Sequence, residues 1–341
     1  VFSAELARLS AHGDVRALAD RALESARRRL RRRKPEAVDL GGFSGLGGWI
    51  YALTLLGDRW TSAELLDEAE EAAAGVVAGL ERDRGLDVIA GSAGCIGGLL
   101  ALHVKRPTSE ILDAAVACGD HLLARAIDQE HGLGWPTGEA DRPLTGFAHG
   151  TAGYAWALGR LATVCGEPRF REASRKALAY ERALFLSDRD NWPDLRTNRQ
   201  VDGEWVSFHA WCHGSPGIGL GRLGLLDGAD DPELTAEIRA AVRSTAAQGF
   251  SGSHCLCHGQ LGNLELLQLA SDRLDDPTAR SALAGHRARL IQDMEKGDYR
   301  CGASCQVELP GLMNGLAGIG YALLRLADPE GVPSVLLMEV A

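Results

Sequence analysis

The chain has 341 residues, enough to bury a large core, and its 45% apolar and 24% charged residues are ordinary for a soluble protein. A formal net charge of −10 disfavours nucleic-acid binding, and no apolar run approaches the roughly 18 residues of a membrane span. Eight cysteines in a chain this long, without a recognisable signal peptide, are not typical of a secreted disulfide framework and favour a cytoplasmic protein with a metal site or reactive thiols.

A Gly-x-x-Gly pattern, each time followed by an apolar segment of helical character, occurs six times along the chain. The pairs are Gly42 and Gly45, Gly91 and Gly94, Gly150 and Gly153, Gly214 and Gly217, Gly259 and Gly262, and Gly315 and Gly318. One such pair has no predictive value, but six copies that each open an apolar helix predict a repeat architecture.

Amphipathic helical segments lie between the glycine motifs, at residues 64–82, 109–126, 168–184 and 232–247. Each repeat is therefore predicted to hold one apolar and one amphipathic helix. A helix that is apolar on most faces must be covered on most faces, so the apolar helices should form an inner ring and the amphipathic ones an outer ring. The predicted fold is an all-α toroid, a double ring of helices, with residues 1–341 forming a single domain.

The first residues of the chain resemble the end of a later inner helix. The run ARLSAHGDVR at residues 7–16 is similar to GRLATVCGEPR at residues 159–169. We therefore expect a ring of seven repeats whose first copy is truncated, its glycine motif lying upstream of Val1. The chain would then be the C-terminal part of a longer protein.

A histidine precedes the first glycine in three of the motifs, as His149, His213 and His258, and Cys212 and Cys257 precede two of these histidines. Equivalent positions of a ring of repeats should face one end of its central cavity and so converge there. Thiolates and imidazoles suit Zn²⁺, and three protein ligands with one open position are typical of a catalytic zinc site. The alternative is that these residues are small buried thiols and helix-capping histidines.

Other polar residues near the motifs leave more than one interpretation open. His149 is either a functional residue, as its register indicates, or a helix cap. Asp87, four residues before Gly91, is equally compatible with a place at this site and with an N-cap carboxylate. Cys301 and Cys305, in the run CGASC, could bind metal but are better interpreted as loop or core thiols.

Taken together, the runs GFSGLGG, DVIAGSAG, TGFAHGTAG, AWCHGSPGIGL, CLCHGQLGN and PGLMNGLAGIGYALLRL resemble the lanthionine synthetase C-like cyclase family. The resemblance covers essentially the whole chain. Within the family the chain looks most like the C-terminal cyclase domain of bifunctional class II lanthipeptide synthetases. This subclass is indicated by NWPDLR at residues 191–196, by Tyr180 and Glu181, and by PSVLLMEV near the end of the chain.

The resemblance implies a zinc enzyme with a seven-unit α/α-toroid fold. Matched motif by motif, it implies the zinc ligands Cys212, Cys257 and His258, and it implies that His213 is not a ligand. It likewise implies that His149 is the acid/base histidine and that Asp87 is the aspartate associated with it.

The sequence departs from the family pattern at one position. Stand-alone cyclases of the family carry an arginine four residues before the first zinc cysteine, where this chain has Phe208. The role of that arginine is left unfilled by the match, with Arg196 and His209 as candidates to fill it.

The implied activity is lanthipeptide cyclisation in antibiotic biosynthesis. Cysteine thiols of a precursor peptide would add to dehydroalanine or dehydrobutyrine and form lanthionine or methyllanthionine rings. The expected partners are the dehydrated precursor peptide and an upstream dehydratase domain in the same chain, with no nucleic acid and no membrane insertion. Two alternatives stay open. One is a non-catalytic cyclase-like protein that binds zinc and glutathione or peptide. The other is a toroidal glycosidase, which would need paired carboxylates, or a prenyltransferase-like enzyme, which would need a basic pyrophosphate patch that the sequence does not show.

Overall fold

The structure is a computed structural model that describes residues 1–9, 13–32, 39–137, 140, 142–196, 200–226, 231–303 and 307–340. Cys305 and part of the run at residues 7–16 lie outside these ranges. The chain divides into two compact units, the first made of Val1–Ala124 and Gly320–Ala341 and the second of Arg125–Ile319.

The first unit is helical throughout its regular structure. Its helices are α1 (Phe2–Leu9), α2 (Gly13–Arg32), α3 (Leu46–Arg59), α4 (Ala63–Ala74), α5 (Val76–Gly79), a 3-10 turn (Leu80–Arg82), α6 (Ser92–Lys105) and α7 (Ser109–Leu123). The N-terminal helix α1 is tied to this unit by the buried carboxylate of Glu5, which accepts hydrogen bonds from Arg8 at 3.0 Å and Arg59 at 2.7 Å. The truncated seventh repeat stays a prediction.

The second unit contains helices and two short antiparallel hairpins. Its elements are β1 (Ile127–Gln129), β2 (Gly132–Gly134), α8 (Thr151–Cys165), α9 (Pro168–Ala183), β3 (Gln200–Val201), β4 (Glu204–Trp205), α10 (Ser215–Leu223), α11 (Pro232–Gln248), α12 (Gln260–Leu274) and α13 (Pro277–Glu295). A last helix, α14 (Leu316–Ala327), begins in the second unit and continues into the first. No helix among the residues described combines the length and apolar character needed to cross a membrane.

Every apolar helix of the repeat begins directly after a glycine of its motif. The preceding residues are Gly45, Gly91, Gly150, Gly214, Gly259 and Gly315. The first predicted pair, Gly42 and Gly45, is therefore out of register by three residues, and Gly45 and Gly48 are the equivalent pair. Glycine is required most clearly at Gly214, where φ is +90° and a Cβ would lie 1.8 Å from the carbonyl oxygen of Phe208.

Five of the six glycine-started helices pack against the amphipathic helix that follows them, giving the pairs α3 and α4, α6 and α7, α8 and α9, α10 and α11, and α12 and α13. The two kinds of helix differ in burial as their sequences predict. Along α6 every residue from 92 to 102 is buried, whereas α13 buries only Ala279 and Leu290. The all-α class and the alternation of apolar and amphipathic helices are thus confirmed.

Candidate metal centre

The loops that precede α8, α10, α12 and α14 are joined by backbone hydrogen bonds at one repeated position. Ala148 N–H donates to Cys212 O at 3.3 Å, Cys212 N–H to Cys257 O at 3.2 Å, and Cys257 N–H to Met313 O at 2.9 Å. All four residues stand two positions before the glycine that starts the next helix. The repeat register therefore brings Cys212 and Cys257 side by side.

The thiols of Cys212 and Cys257 are hydrogen-bonded to each other. That bond lowers the pKa of Cys212 to about 7 against the opposing effect of burial, and the charges of His258, His149 and Arg196 add to the lowering. The same bond, together with burial, raises the pKa of Cys257. The pairing therefore favours the thiolate form of Cys212, and a thiolate is a good ligand for a soft cation.

The imidazole of His258 lies beside this thiol pair. Its Nε2 donates a hydrogen bond to the carbonyl oxygen of Gly302 at 3.0 Å. An interaction with the thiol of Cys255 raises the pKa of His258 to about 9, and the neighbouring Cys212 contributes in the same direction. Cys255 itself is fully buried, and its sulfur is 3.3 Å from the hydroxyl of Ser253.

Two thiols in contact with an adjacent imidazole fit zinc in donor chemistry, since zinc is bound in proteins by sulfur and nitrogen ligands of this kind. In the described part of the chain, however, no three His, Cys, Asp or Glu side chains already stand in a metal-holding arrangement. A bound ion would have to draw the donors of Cys212, Cys257 and His258 together. The case for the metal therefore rests on donor chemistry and register.

The other two histidines of the motifs lie at the same centre. The rings of His149 and His213 are stacked, with centroids 5.8 Å apart and planes 30° apart. Burial, with the charge of Arg196, lowers the pKa of His213 to about 4, although the carboxylate of Asp194 acts in the opposite direction. His213 is thus a buried, neutral ring, whereas His149 is half-buried and close enough to influence the pKa of Cys212.

Asp87 belongs to the other compact unit. One of its carboxylate oxygens accepts a hydrogen bond from Ala90 N–H at 2.8 Å, and its backbone carbonyl accepts from Gly91 N–H at 3.0 Å. These bonds organise the turn that leads into α6. The N-cap of that helix is Gly91, without a side-chain capping bond, so Asp87 is not the N-cap carboxylate of the alternative interpretation. An association between Asp87 and His149 stays a prediction.

Arg196 is a site residue that the sequence could name only as an alternative. Its guanidinium makes a bidentate ion pair with the buried carboxylate of Asp194, at 2.9 and 2.6 Å. It also lies 5.9 Å from the ring centroid of Phe208, and its charge lowers the pKa of both Cys212 and Cys257. The guanidinium of Arg196 therefore lies beside Phe208, the position at which stand-alone cyclases of the resembled family carry an arginine.

A cavity of about 520 Å³ borders the metal centre on the side of His258 and Gly302. Phe208 and His209 line it from the loop before α10, and Gly249 and Ser251 line it from the end of α11. The Nε2 of His209 is within hydrogen-bond distance of Asn191 Nδ2 at 3.2 Å and Ser244 Oγ at 3.0 Å. Among the candidate donors, His258 lines this cavity and is therefore reached through it.

Comparison with known proteins identifies the class. A family model described as lanthionine synthetase C-like protein matches residues 1–337, and the chain belongs to this family. Among curated proteins the chain is 26% identical, over 267 residues, to the lacticin 481/lactococcin biosynthesis protein LcnDR2 of Lactococcus lactis subsp. lactis. That match takes in 74% of this chain but 26% of the relative, so the chain spans about a quarter of the length of the curated relative it matches.

Solved structures support the same assignment at the level of the fold. Nisin cyclase matches with a TM-score of 0.55 at 18% identity, covering 96% of this chain and 98% of its own. This likeness confirms the predicted fold class, an α/α toroid. The α-1,6-mannanase GH76A of Salegentibacter sp. HEL1_6 matches with a TM-score of 0.53 at 12% identity, covering 86% and 87% of the two chains. At these identities the likenesses concern the fold alone.

Proposed function

We propose that this protein is a zinc-dependent lanthipeptide cyclase. It would add cysteine thiols of a dehydrated precursor peptide to dehydroalanine or dehydrobutyrine, forming thioether rings. The observation that carries the proposal is the hydrogen-bonded thiol pair of Cys212 and Cys257 beside His258, in a member of the lanthionine synthetase C-like family. The names of the two relatives, a lacticin 481 biosynthesis protein and nisin cyclase, support a peptide substrate.

The cellular setting forms part of the same proposal. A dehydratase domain upstream in the same chain would supply the dehydrated peptide, and the reaction would take place in the cytoplasm. The greater length of the lacticin relative supports the existence of a further functional segment in proteins of this kind.

In the proposed mechanism Cys212, Cys257 and His258 hold zinc. Bound zinc would act as a Lewis acid that lowers the pKa of the substrate thiol, so that the thiol would lose its proton to solvent at neutral pH, where a free thiol with a pKa near ~8.5 is mostly protonated. Arg196 adds a fixed positive charge close to these donors and so favours negative charge there. The cavity beside His258 and Gly302 admits the peptide segment that carries the reacting cysteine.

The second half of the reaction needs a proton. Attack of the thiolate on the β-carbon forms the carbon–sulfur bond and moves the electron pair of the double bond onto the peptide as an enolate. His149 would then donate its proton to the α-carbon, which a histidine can do because its usual pKa lies near the operating pH. Its place beside Cys212 supports this role, and Asp87 is proposed to assist it, by orienting the ring or by tuning its acidity.

The positions of the adjacent aspartates in this chain argue against the glycosidase alternative. One of the mannanase structures is a variant inactivated by replacing two neighbouring aspartates. The two Asp–Asp pairs of this chain end in Asp231 and Asp276. Asp231 caps α11 by accepting from Leu234 N–H at 3.0 Å, and Asp276 caps α13 by accepting from Ala279 N–H at 2.9 Å. These described carboxylates are engaged in helix capping on the amphipathic helices.

The proposal is tested with a synthetic peptide that contains one dehydroalanine and one free cysteine. Ring closure does not change the peptide mass but removes the thiol, so alkylation with N-ethylmaleimide followed by mass spectrometry counts uncyclised peptide. We expect rapid loss of the alkylated product with the wild-type protein, against slow loss without protein. If the protein binds the peptide and zinc but does not accelerate closure, it is the non-catalytic binding module, and the cyclase proposal is wrong.

A further inference from the structure

A turn formed by residues 300–303 lies against the candidate metal centre and is held on two sides by the backbone. Arg300 O accepts from His254 N–H at 2.8 Å, and Arg300 N–H donates to His254 Nδ1 at 3.0 Å. Gly302 N–H donates to Asn314 O at 2.8 Å. The turn is therefore fixed both to the loop that carries Cys257 and to the loop that precedes α14.

The carbonyl of Gly302 is the contact between this turn and the metal centre. It accepts a hydrogen bond from His258 Nε2 at 3.0 Å. Because a carbonyl oxygen can only accept, Nε2 carries a proton in every charge state of the ring that keeps this bond. Nδ1 is then the nitrogen whose lone pair is available to a metal ion. In protein metal sites, the nitrogen of a ligating histidine that does not bind the metal commonly donates to a backbone carbonyl in this way.

We propose that Gly302 is the positioning residue of His258: its carbonyl fixes the tautomer and the ring orientation, so that His258 binds zinc through Nδ1. The inference rests on the proposed zinc function and goes beyond it, because it assigns a role to the turn formed by residues 300–303 and names the nitrogen of His258 that binds the metal.

The absence of a side chain at residue 302 is part of this arrangement. A Cβ there would lie 2.8 Å from His258 Nε2, 3.0 Å from His258 Cε1 and 2.9 Å from Cys255 Sγ. A side chain at residue 302 would therefore press both on the Nε2–Cε1 edge of the ring and on the sulfur of Cys255. An alanine would push the ring out of place, since His258 is half-buried and moves more easily than a turn bonded on two sides.

The test compares Gly302→Ala with the matched control Gly311→Ala. Gly311 lies in the segment between the same turn and α14, and a Cβ there would meet nothing within 4 Å. Zinc affinity is measured by competition with a chromogenic chelator, and the melting temperature is measured in excess chelator. We expect Gly302→Ala to lose about 10- to 100-fold in zinc affinity, the loss typical for removal of an outer-shell partner. Gly311→Ala should match the wild type, and the three metal-free melting temperatures should agree.

Equal zinc affinity for Gly302→Ala and the wild type would overturn the inference and leave the proposed function intact. Failure of the wild type to bind about one zinc per chain would overturn both. A second measurement needs no variant, so it decides the case even if Gly302→Ala does not fold. Long-range proton–nitrogen correlation spectra of the histidine rings in zinc-loaded wild type should show a protonated Nε2 and a metal-bound Nδ1 for His258. Coordination through Nε2 would contradict the proposal.

Discussion

The buried ion pair between Glu181 and Arg222 is predicted to support the loop that carries His149. Both side chains are fully buried. Glu181 accepts a hydrogen bond from Arg222 at 2.8 Å and, with its other oxygen, one from Gly146 N–H at 2.8 Å. Glu181→Ala leaves the Arg222 guanidinium with Glu237 as its remaining carboxylate partner and removes the acceptor of the Gly146 N–H. Removing one partner of a buried pair typically costs about 3–5 kcal/mol.

For a compact unit of this size, each kcal/mol lowers the melting temperature by about 2–4 °C, so the loss corresponds to a fall of about 6–20 °C. The matched control is Glu172→Ala on the same helix, α9, where Glu172 pairs with Arg175 at the surface and both side chains are largely exposed. Exposed pairs of this kind contribute little, so the control should melt like the wild type. Differential scanning calorimetry of the three proteins decides the point. A Glu181→Ala shift no larger than the Glu172→Ala shift would refute this reasoning about the buried pair.

Substitutions at the candidate metal centre should separate metal binding from chemistry. Cys257→Ala should lose most of its zinc while His213→Gln keeps it, and metal analysis showing the reverse would mean that the ligand set is wrong. His149→Asn should bind zinc normally but cyclise the peptide about 10²- to 10⁴-fold more slowly. A wild-type rate in this variant would mean that His149 is a helix cap and not the general acid. Asp87→Asn should slow ring formation without lowering the melting temperature. An unchanged pH–rate profile would mean that Asp87 only stabilises the turn before α6 and has no part in the reaction. Arg196→Lys keeps the charge but loses the bidentate geometry, so cyclisation should slow, and an unchanged rate would exclude that role.

The repeat and the helices could be predicted from sequence because their signals are local. The run TAGYAWALGRLA is apolar on nearly every helical face, and it forms the buried helix α8 directly after Gly150. The amphipathic helices begin at strong capping residues such as Thr108 and Asp231, whose side chains accept backbone N–H groups in the structure. The register of the first repeat was missed because GFSGLGG contains two overlapping Gly-x-x-Gly pairs. The sequence alone does not distinguish them.

The contacts within the candidate site depend on tertiary structure and were only partly accessible to prediction. The spacing of the two Cys-His-Gly motifs predicted that Cys212 and Cys257 would lie together, since both stand at one position of the repeat. The sequence could name Arg196 only as one of two candidates for the role left open at Phe208, because these residues lie on a loop between repeats that follows no periodic pattern. Likewise, Gly302 is 44 residues from His258 in sequence, and no local feature of the turn at residues 300–303 indicates that the carbonyl of Gly302 contacts the imidazole of His258.

Zinc titration of the metal-free protein tests the central claim most directly. The protein is stripped with chelator, zinc is returned in small increments, and the rate of ring closure in the dehydroalanine peptide is measured at each step. If Cys212, Cys257 and His258 form the catalytic site, the rate should rise from the background value in proportion to added zinc and stop rising at about one zinc per chain. Full activity in the stripped protein, or a rate that does not respond to zinc, would contradict the account.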